Sequence, residues 1–269
     1  MIFDVNAWLG AWPFRRLRDN EPEALAARLQ RLGISAAAVS QIDAIFYRNV
    51  QSANERLVAV VQPYKDMLIP LATINPTYVH WERDLQECHE QLGMRGVRLF
   101  PEYHDYAIDG PLARQVVEAC AARSLPVQIP MRIEDYRGRH RVDPGRAGVE
   151  LARIANLIAA VPQATIMVTN ARGIVNSPLW QRAELRAANW YVDLSLAEVH
   201  YQLHRDLRYS RDLGMFIEQG GADHLLFGSH VPFSYLGSAL VKLATLPVSP
   251  ETLENISYHY AASIFGLSC

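Results

Sequence analysis

Eight short apolar runs, separated by longer amphipathic stretches, recur along the 269 residues, and this alternation limits the fold more than any other feature. The runs are Ile2–Asn6, Ala36–Gln41, Leu68–Ile74, Gly96–Phe100, Pro126–Ile129, Thr165–Thr169, Tyr191–Ser195 and Leu225–Ser229. Stretches as uniformly apolar as SAAAVS, LIPLATI and ATIMV read as parallel strands covered on both faces. Between them the spacing predicts helices over Pro22–Leu32, Gln51–Lys65, Tyr78–Leu92, Pro111–Arg123, Arg146–Ala160, Leu179–Ala188 and Arg205–Gly220, with one or two more after Tyr235. Their starts carry Pro and acidic residues, as in EPEALAARL and SPETLENI, and Gly33 and Gly93 stand where left-handed caps would end two of them. An α/β fold, a single-domain (β/α)8 TIM barrel over residues 1–269, is therefore expected. No Gly-rich phosphate fingerprint follows the first strand, which counts against a doubly wound sheet.

In such a barrel the working residues stand at the C-terminal ends of the strands. The first strand offers Asp4, Asn6 and Trp8, which period-two alternation puts on one face. The loop behind it has Trp12 and Phe14 to wall an apolar pocket, or to cap the core, and Arg15 and Arg16 as forks for a carboxylate. Asp43 and Tyr47 follow the second strand. The segment VRLFPEYHDY brings Arg98, Glu102, His104 and Tyr106 together, the densest polar group in the chain. Pro130 ends the fifth strand, with Arg132, Asp135, Arg137 and His140 beyond it. Asn170 and Arg172 follow the sixth, and Asp193, Ser195 and Glu198 the seventh. His230 closes the eighth, just before Pro232, where an imidazole facing the pocket would serve as general base or acid. His200 and His204 have the spacing of one helical face but lack the Glu of a metalloprotease signature, so a solvated face explains them.

Basic and acidic side chains nearly balance, 26 against 28, so neither nucleic acid nor a membrane surface is an expected partner. A small-molecule substrate is. Cys88, Cys120 and Cys269 lie far apart without CxxC pairing, and no stretch approaches the ~20 apolar residues of a membrane span. Both observations predict a cytoplasmic protein without a disulfide framework, and a homodimer is the prior for a barrel of this kind.

The segments FDVNAWLG, GVRLFPEYHDY, LPVQIPM, ATIMVTNARG, LLFGSHVPF and NISYHYAASIFGL resemble the amidohydrolase-related family over nearly the whole length. That family contains lactone hydrolases and non-oxidative decarboxylases on TIM barrels. Its members carry His-x-His after the first strand, a His after the fifth and sixth, and an Asp after the eighth, which together hold one or two divalent metals. The corresponding positions here are Asn6, Trp8, Pro130, Asn170 and His230, and every one departs from the pattern. Zinc wants about four N, S or O ligands, so no cofactor is expected, zinc being the alternative.

Two functions follow from the resemblance. The first is a metal-independent hydrolase of lactonase or decarboxylase type. His230 is its general base, Arg98, His104 and Asp43 are further catalytic candidates, and Arg98, Arg132 or Arg172 clamp a carboxylate or oxyanion. Asn6, Trp8, Arg132, Asn170, Arg172, Tyr106 and Ser195 would contact the small carboxylated or lactone-type substrate. The second is a non-catalytic barrel that binds a small acid or a protein partner.

Overall fold

The computed structural model describes residues 1–134, 139–145, 148–195 and 212–267. Nine parallel strand segments run in chain order: β1 (Phe3–Leu9), β2 (Ala36–Gln41), β3 (Leu68–Pro70), β4 (Ala72–Thr73), β5 (Val97–Arg98), β6 (Val127–Pro130), β7 (Ile166–Thr169), β8 (Trp190–Asp193) and β9 (Leu225–Leu226). β3 and β4 are two halves of one stave interrupted at Leu71, whose N–H still bonds the Val39 carbonyl, so the segments form eight staves. Pro70 has no N–H to offer a ladder, which accounts for the irregularity beside it. Bonds from Val5 N–H to the Phe227 carbonyl, His230 N–H to the Asn6 carbonyl and Trp8 N–H to the Val231 carbonyl join the last stave to the first. The ring is that of a TIM barrel.

Helices α1 (Pro22–Arg31), α2 (Gln51–Val61), α3 (Trp81–Glu90), α4 (Pro111–Ala121) and α5 (Leu151–Ala160) follow the strands as expected, each somewhat shorter than its periodic stretch. Pro22 and Pro111 occupy first-turn positions, where a missing N–H costs nothing. The pattern at Leu179–Ala188 resolves into a four-residue helix, α6 (Pro178–Gln181), and a 3-10 turn, Ala183–Leu185. Further helices span Asp212–Glu218, Leu236–Ala244, Pro250–Glu254 and Tyr260–Ile264. The main core lies between the barrel wall and these helices, with Leu25, Leu29, Leu57, Val116 and Ile154 as fully buried contributors. Cys88 and Cys120 are free and buried within it, and burial pushes both thiols up to about 12.

One expectation about β1 needs correction. Its register against β2 shifts between Asp4 and Ala7, so strict alternation does not carry from Asp4 to Trp8. The irregularity leaves the Val5 carbonyl to accept from Gln128 Nε2 (2.5 Å) and the Ala7 carbonyl from Arg98 Nη1 (3.3 Å). Asp4 bonds instead to the chain leaving β9, accepting from the Ser229 N–H at 2.9 Å and from the Ser229 hydroxyl.

Candidate functional site

The tips of β1, β7, β8 and β9 converge on one buried hydrogen-bonded cluster. Asn6, Trp8, Asn170, Asp193, Ser195 and His230 are all 6 % exposed or less. Asn6 Nδ2 lies 2.7 Å from Asp193 Oδ2, 2.9 Å from Asn170 Oδ1 and 3.2 Å from Ser195 Oγ. Ser195 Oγ donates to Asn170 Oδ1 at 2.6 Å, and Asp193 Oδ1 accepts the Asn170 backbone N–H at 2.9 Å. Trp8 Nε1 faces both Asn6 Oδ1 (3.0 Å) and His230 Nδ1 (3.2 Å). Asn170 Nδ2 donates to the Arg132 carbonyl at 2.6 Å.

His230 Nε2 stands 2.6 Å from the Ile133 carbonyl. A carbonyl oxygen only accepts, so Nε2 carries the proton and Nδ1 presents the lone pair that receives the Trp8 indole. Both ring nitrogens are thereby committed. Burial drives the imidazole pKa from 6.5 down to about 3, and the charges of Arg98, Arg132 and Arg15 press the same way. Asn170 and His230 both sit at positive φ, 58° and 62°. Left-handed backbone at a residue other than glycine costs on the order of 1 kcal/mol or more and persists where surrounding contacts hold it. Here the cluster bonds hold both.

Arg98 lies fully buried beneath this layer with its guanidinium 4.1 Å from the Trp8 ring centroid. It donates to Gln128 Oε1 at 2.7 Å and reaches the carbonyls of Ala7 and Val5. Burial lowers its pKa to about 9, against which Asp193 and Asp4 act. Burial likewise raises Asp193, and lifts Asp4 from 3.8 to about 6. Lys242, itself buried, donates to the Leu194 carbonyl and its charge favours the Asp193 anion.

An aromatic lid covers the cluster. Phe233 stacks on His230 at 4.9 Å and stands edge-on to Trp8 at 5.9 Å; Trp12 packs on Phe233, Phe14 and Phe46. Arg15 spans it, pairing with Glu134 at 2.5 Å and donating to the Phe233 carbonyl at 3.1 Å. Of the two roles open to Trp12 and Phe14, capping the interior is the one observed.

Of the residues singled out from sequence, Asn6, Trp8, Asn170, Asp193, Ser195 and His230 meet directly, and Arg132 joins them through its carbonyl. His104 packs edge-on against Phe100, its pKa lowered to about 4 by burial. Asp43 stands apart on the rim, accepting from Tyr47 and Arg56. Tyr106 packs against the main core, and Arg172 is half-buried beyond β7. Asp135, Arg137, Glu198, His200 and His204 lie outside the described residues. Asp4 and Asp193 were named at the strand tips without a role, and Gln128 and Ser229 were not singled out. A glutamine inside the apolar PVQIPM was the available signal for Gln128.

The family resemblance implies a divalent metal here, and this donor set does not fit one. Pro130 has no ligating side chain and Trp8 only donates. The Asn6 and Asn170 oxygens and His230 Nδ1 already accept from N–H or O–H groups. Among the described residues there is no group of three or more His, Cys, Asp or Glu that could hold an ion.

An amidohydrolase family model matches residues 11–267. Comparison with the curated proteins gave no match. Solved structures share the fold at low identity. 5-Carboxyvanillate decarboxylase from Sphingomonas paucimobilis is 15 % identical, with a TM-score of 0.72 and 99 % of each chain covered. Dihydroxybenzoic acid decarboxylase from Polaromonas sp. JS666, solved with bound manganese and the inhibitor 2-nitroresorcinol, is 15 % identical with a TM-score of 0.75, covering 98 % of this chain and 96 % of that one. A probable 2-pyrone-4,6-dicarboxylic acid hydrolase from Acinetobacter baumannii, with citric acid bound, is 13 % identical with a TM-score of 0.66 and 99 % of each chain covered.

Proposed function

The chain belongs to the amidohydrolase family, and from that premise we propose that it is a metal-independent member whose barrel mouth binds a small carboxylated or lactone-type molecule without turning it over. The observation that carries this reading is the position of Asn6 Nδ2, on which Asp193, Asn170 and Ser195 converge at 2.7 to 3.2 Å. A neutral amide thus draws together the polar groups at the strand tips. Zinc-activated water, whose pKa would fall to about 7, has no counterpart in such a centre. The class of ligand is supported by the charges of Arg15, Arg98 and Arg132 around His230, and by neighbours on the same fold that act on aromatic and pyrone carboxylic acids.

The hydrolytic reading keeps one observation in its favour: a neutral imidazole at the tip of the last stave, on which the charges of Arg98, Arg132 and Arg15 act. In that mechanism His230 Nδ1 takes a proton from water after the Trp8 indole gives way, and Arg98 or Arg132 holds the substrate's oxyanion.

One set of measurements separates the two. Metal analysis of purified protein should find substoichiometric zinc, iron and manganese, and one tightly held equivalent refutes the metal-independent reading. A dicarboxylate should raise the melting temperature, while a panel of lactones and aromatic acids shows no turnover that differs between wild type and His230→Asn. Turnover lost in that variant establishes the hydrolase instead.

A further inference from the structure

The opposite end of the barrel holds a cavity of about 670 Å³ that plays no part in the mouth. It opens where the strands begin, beside Arg95 ahead of β5, Leu125 ahead of β6, Thr165 ahead of β7 and Asn189 ahead of β8, with the segment around Phe265 as its far wall. Its lining is unbalanced. Arg95, Arg123 and His89 contribute to it, and no aspartate or glutamate does.

The two guanidinium groups have spare capacity. Arg95 Nη1 reaches the Phe265 carbonyl at 3.5 Å and Arg123 Nη1 the Ala119 carbonyl at 2.9 Å. Each offers five N–H donors, and among the described residues neither has a carboxylate at ion-pair distance. The neighbouring wall adds hydrogen-bond donors: Asn189 Nδ2 donates to Thr165 Oγ1 at 2.5 Å, which leaves the Thr165 hydroxyl proton and the second Asn189 Nδ2 proton for a ligand.

The competing role for these arginines is to neutralise helix ends, since α3, α4 and the helix Tyr260–Ile264 all terminate at this floor. Each helix C-terminus carries roughly −0.5 of a charge. Such ends offset much of the two guanidinium charges, so what the floor offers an anion is the unused N–H donors of Arg95 and Arg123 in a lining without a carboxylate.

We propose that this floor cavity is a second binding site, for a small multivalent oxyanion of the phosphate or polycarboxylate class. It is independent of the reading of the mouth. Pyrophosphate and citrate, each added at ionic strength matched with sodium chloride, serve as probes, and thermal unfolding is the readout. At least one should raise the wild-type melting temperature saturably, and which one does identifies the class. The response should weaken at least tenfold in apparent affinity in Arg95→Gln/Arg123→Gln, and persist in the mouth variant Arg132→Gln. Asn189→Asp, on an exposed residue, puts a carboxylate on the cavity wall and should abolish the response without depending on how the double variant folds. No response to either anion in the wild type overturns the proposal. So does a response unchanged in Asn189→Asp, or one that disappears with Arg132→Gln instead.

Discussion

Asn6 Nδ2 stands 2.7 Å from Asp193 Oδ2, so β1 is tied to β8 across the barrel mouth by a neutral donor against a buried carboxylate. Asp193 also receives the Asn170 N–H, and burial still raises its pKa. The pair is therefore held by geometry more than by charge, and its variants should read out as stability.

Asn6→Leu keeps the branched heavy-atom shape and removes the donors. It leaves Asp193, Asn170 and Ser195 short of one partner in a dry site, where an orphaned polar group costs about 1–3 kcal/mol and a charged one more. Urea unfolding should lose about 2–4 kcal/mol. A loss within the roughly 0.5 kcal/mol typical of a surface change would show that the cluster relaxes around the gap.

Gly228 tests the same carboxylate from behind. A Cβ built there would lie 2.5 Å from Asp193 Oδ2 and 2.8 Å from Asp193 Cβ. Since Asp193 is pinned by Asn6 and Asn170, Gly228→Ala should destabilise by about 1–3 kcal/mol. Gly214→Ala, in a helix with open space around it, should be neutral or gain up to about 1 kcal/mol. Equal effects of the two would remove Asp193 as the cause.

Protons should act in opposite directions on two groups. Burial lowers His230 from 6.5 to about 3 and His104 to about 4. The folded values lie below the unfolded one, so these contributions are complete above pH 6.5 and are lost as pH falls toward the folded values. Burial raises Asp4 from 3.8 to about 6, so its contribution is complete below pH 3.8 and is lost as pH rises through about 6. The stability gap between wild type and His230→Asn should narrow as pH falls from about 7 to about 4. Asp4→Asn should gain on wild type over the reverse interval. Denaturant midpoints across that range decide it, and parallel pH profiles for wild type and both variants would contradict the assignment.

Chelation gives a further check. If the strand tips are held by amides and hydroxyls, prolonged EDTA treatment leaves the melting temperature unchanged. A fall of several degrees, restored by manganese or zinc, would place a cation in the fold.

The barrel was legible in sequence because parallel strands buried on both faces read as apolar runs, as LIPLATI and ATIMV do, and such runs alternate eight times with helical stretches. The strand-tip rule then brought Asn6, Trp8, Asn170, Ser195 and His230 to one place. What local pattern could not show was partner choice. Asp4 was placed on one face with Asn6 and Trp8; it accepts the Asn6 backbone N–H and also bonds Ser229, 225 residues away, beside a register slip that no single-strand periodicity encodes. Arg98 was read as a clamp for substrate; its place beneath Trp8, reaching backbone carbonyls of β1, depends on that same slip. The stretch at Leu179–Ala188 has helical composition, but Arg182 adopts an extended conformation between two short turns.

The Phe233 lid also gives the molecule an internal clock. With Phe233 against both Trp8 and His230, the indole proton of Trp8 is sealed from solvent on every described side. Its replacement by deuterium then waits for the staves to separate. One resolved resonance would time the opening of the barrel from within, at the atom around which the mouth is assembled.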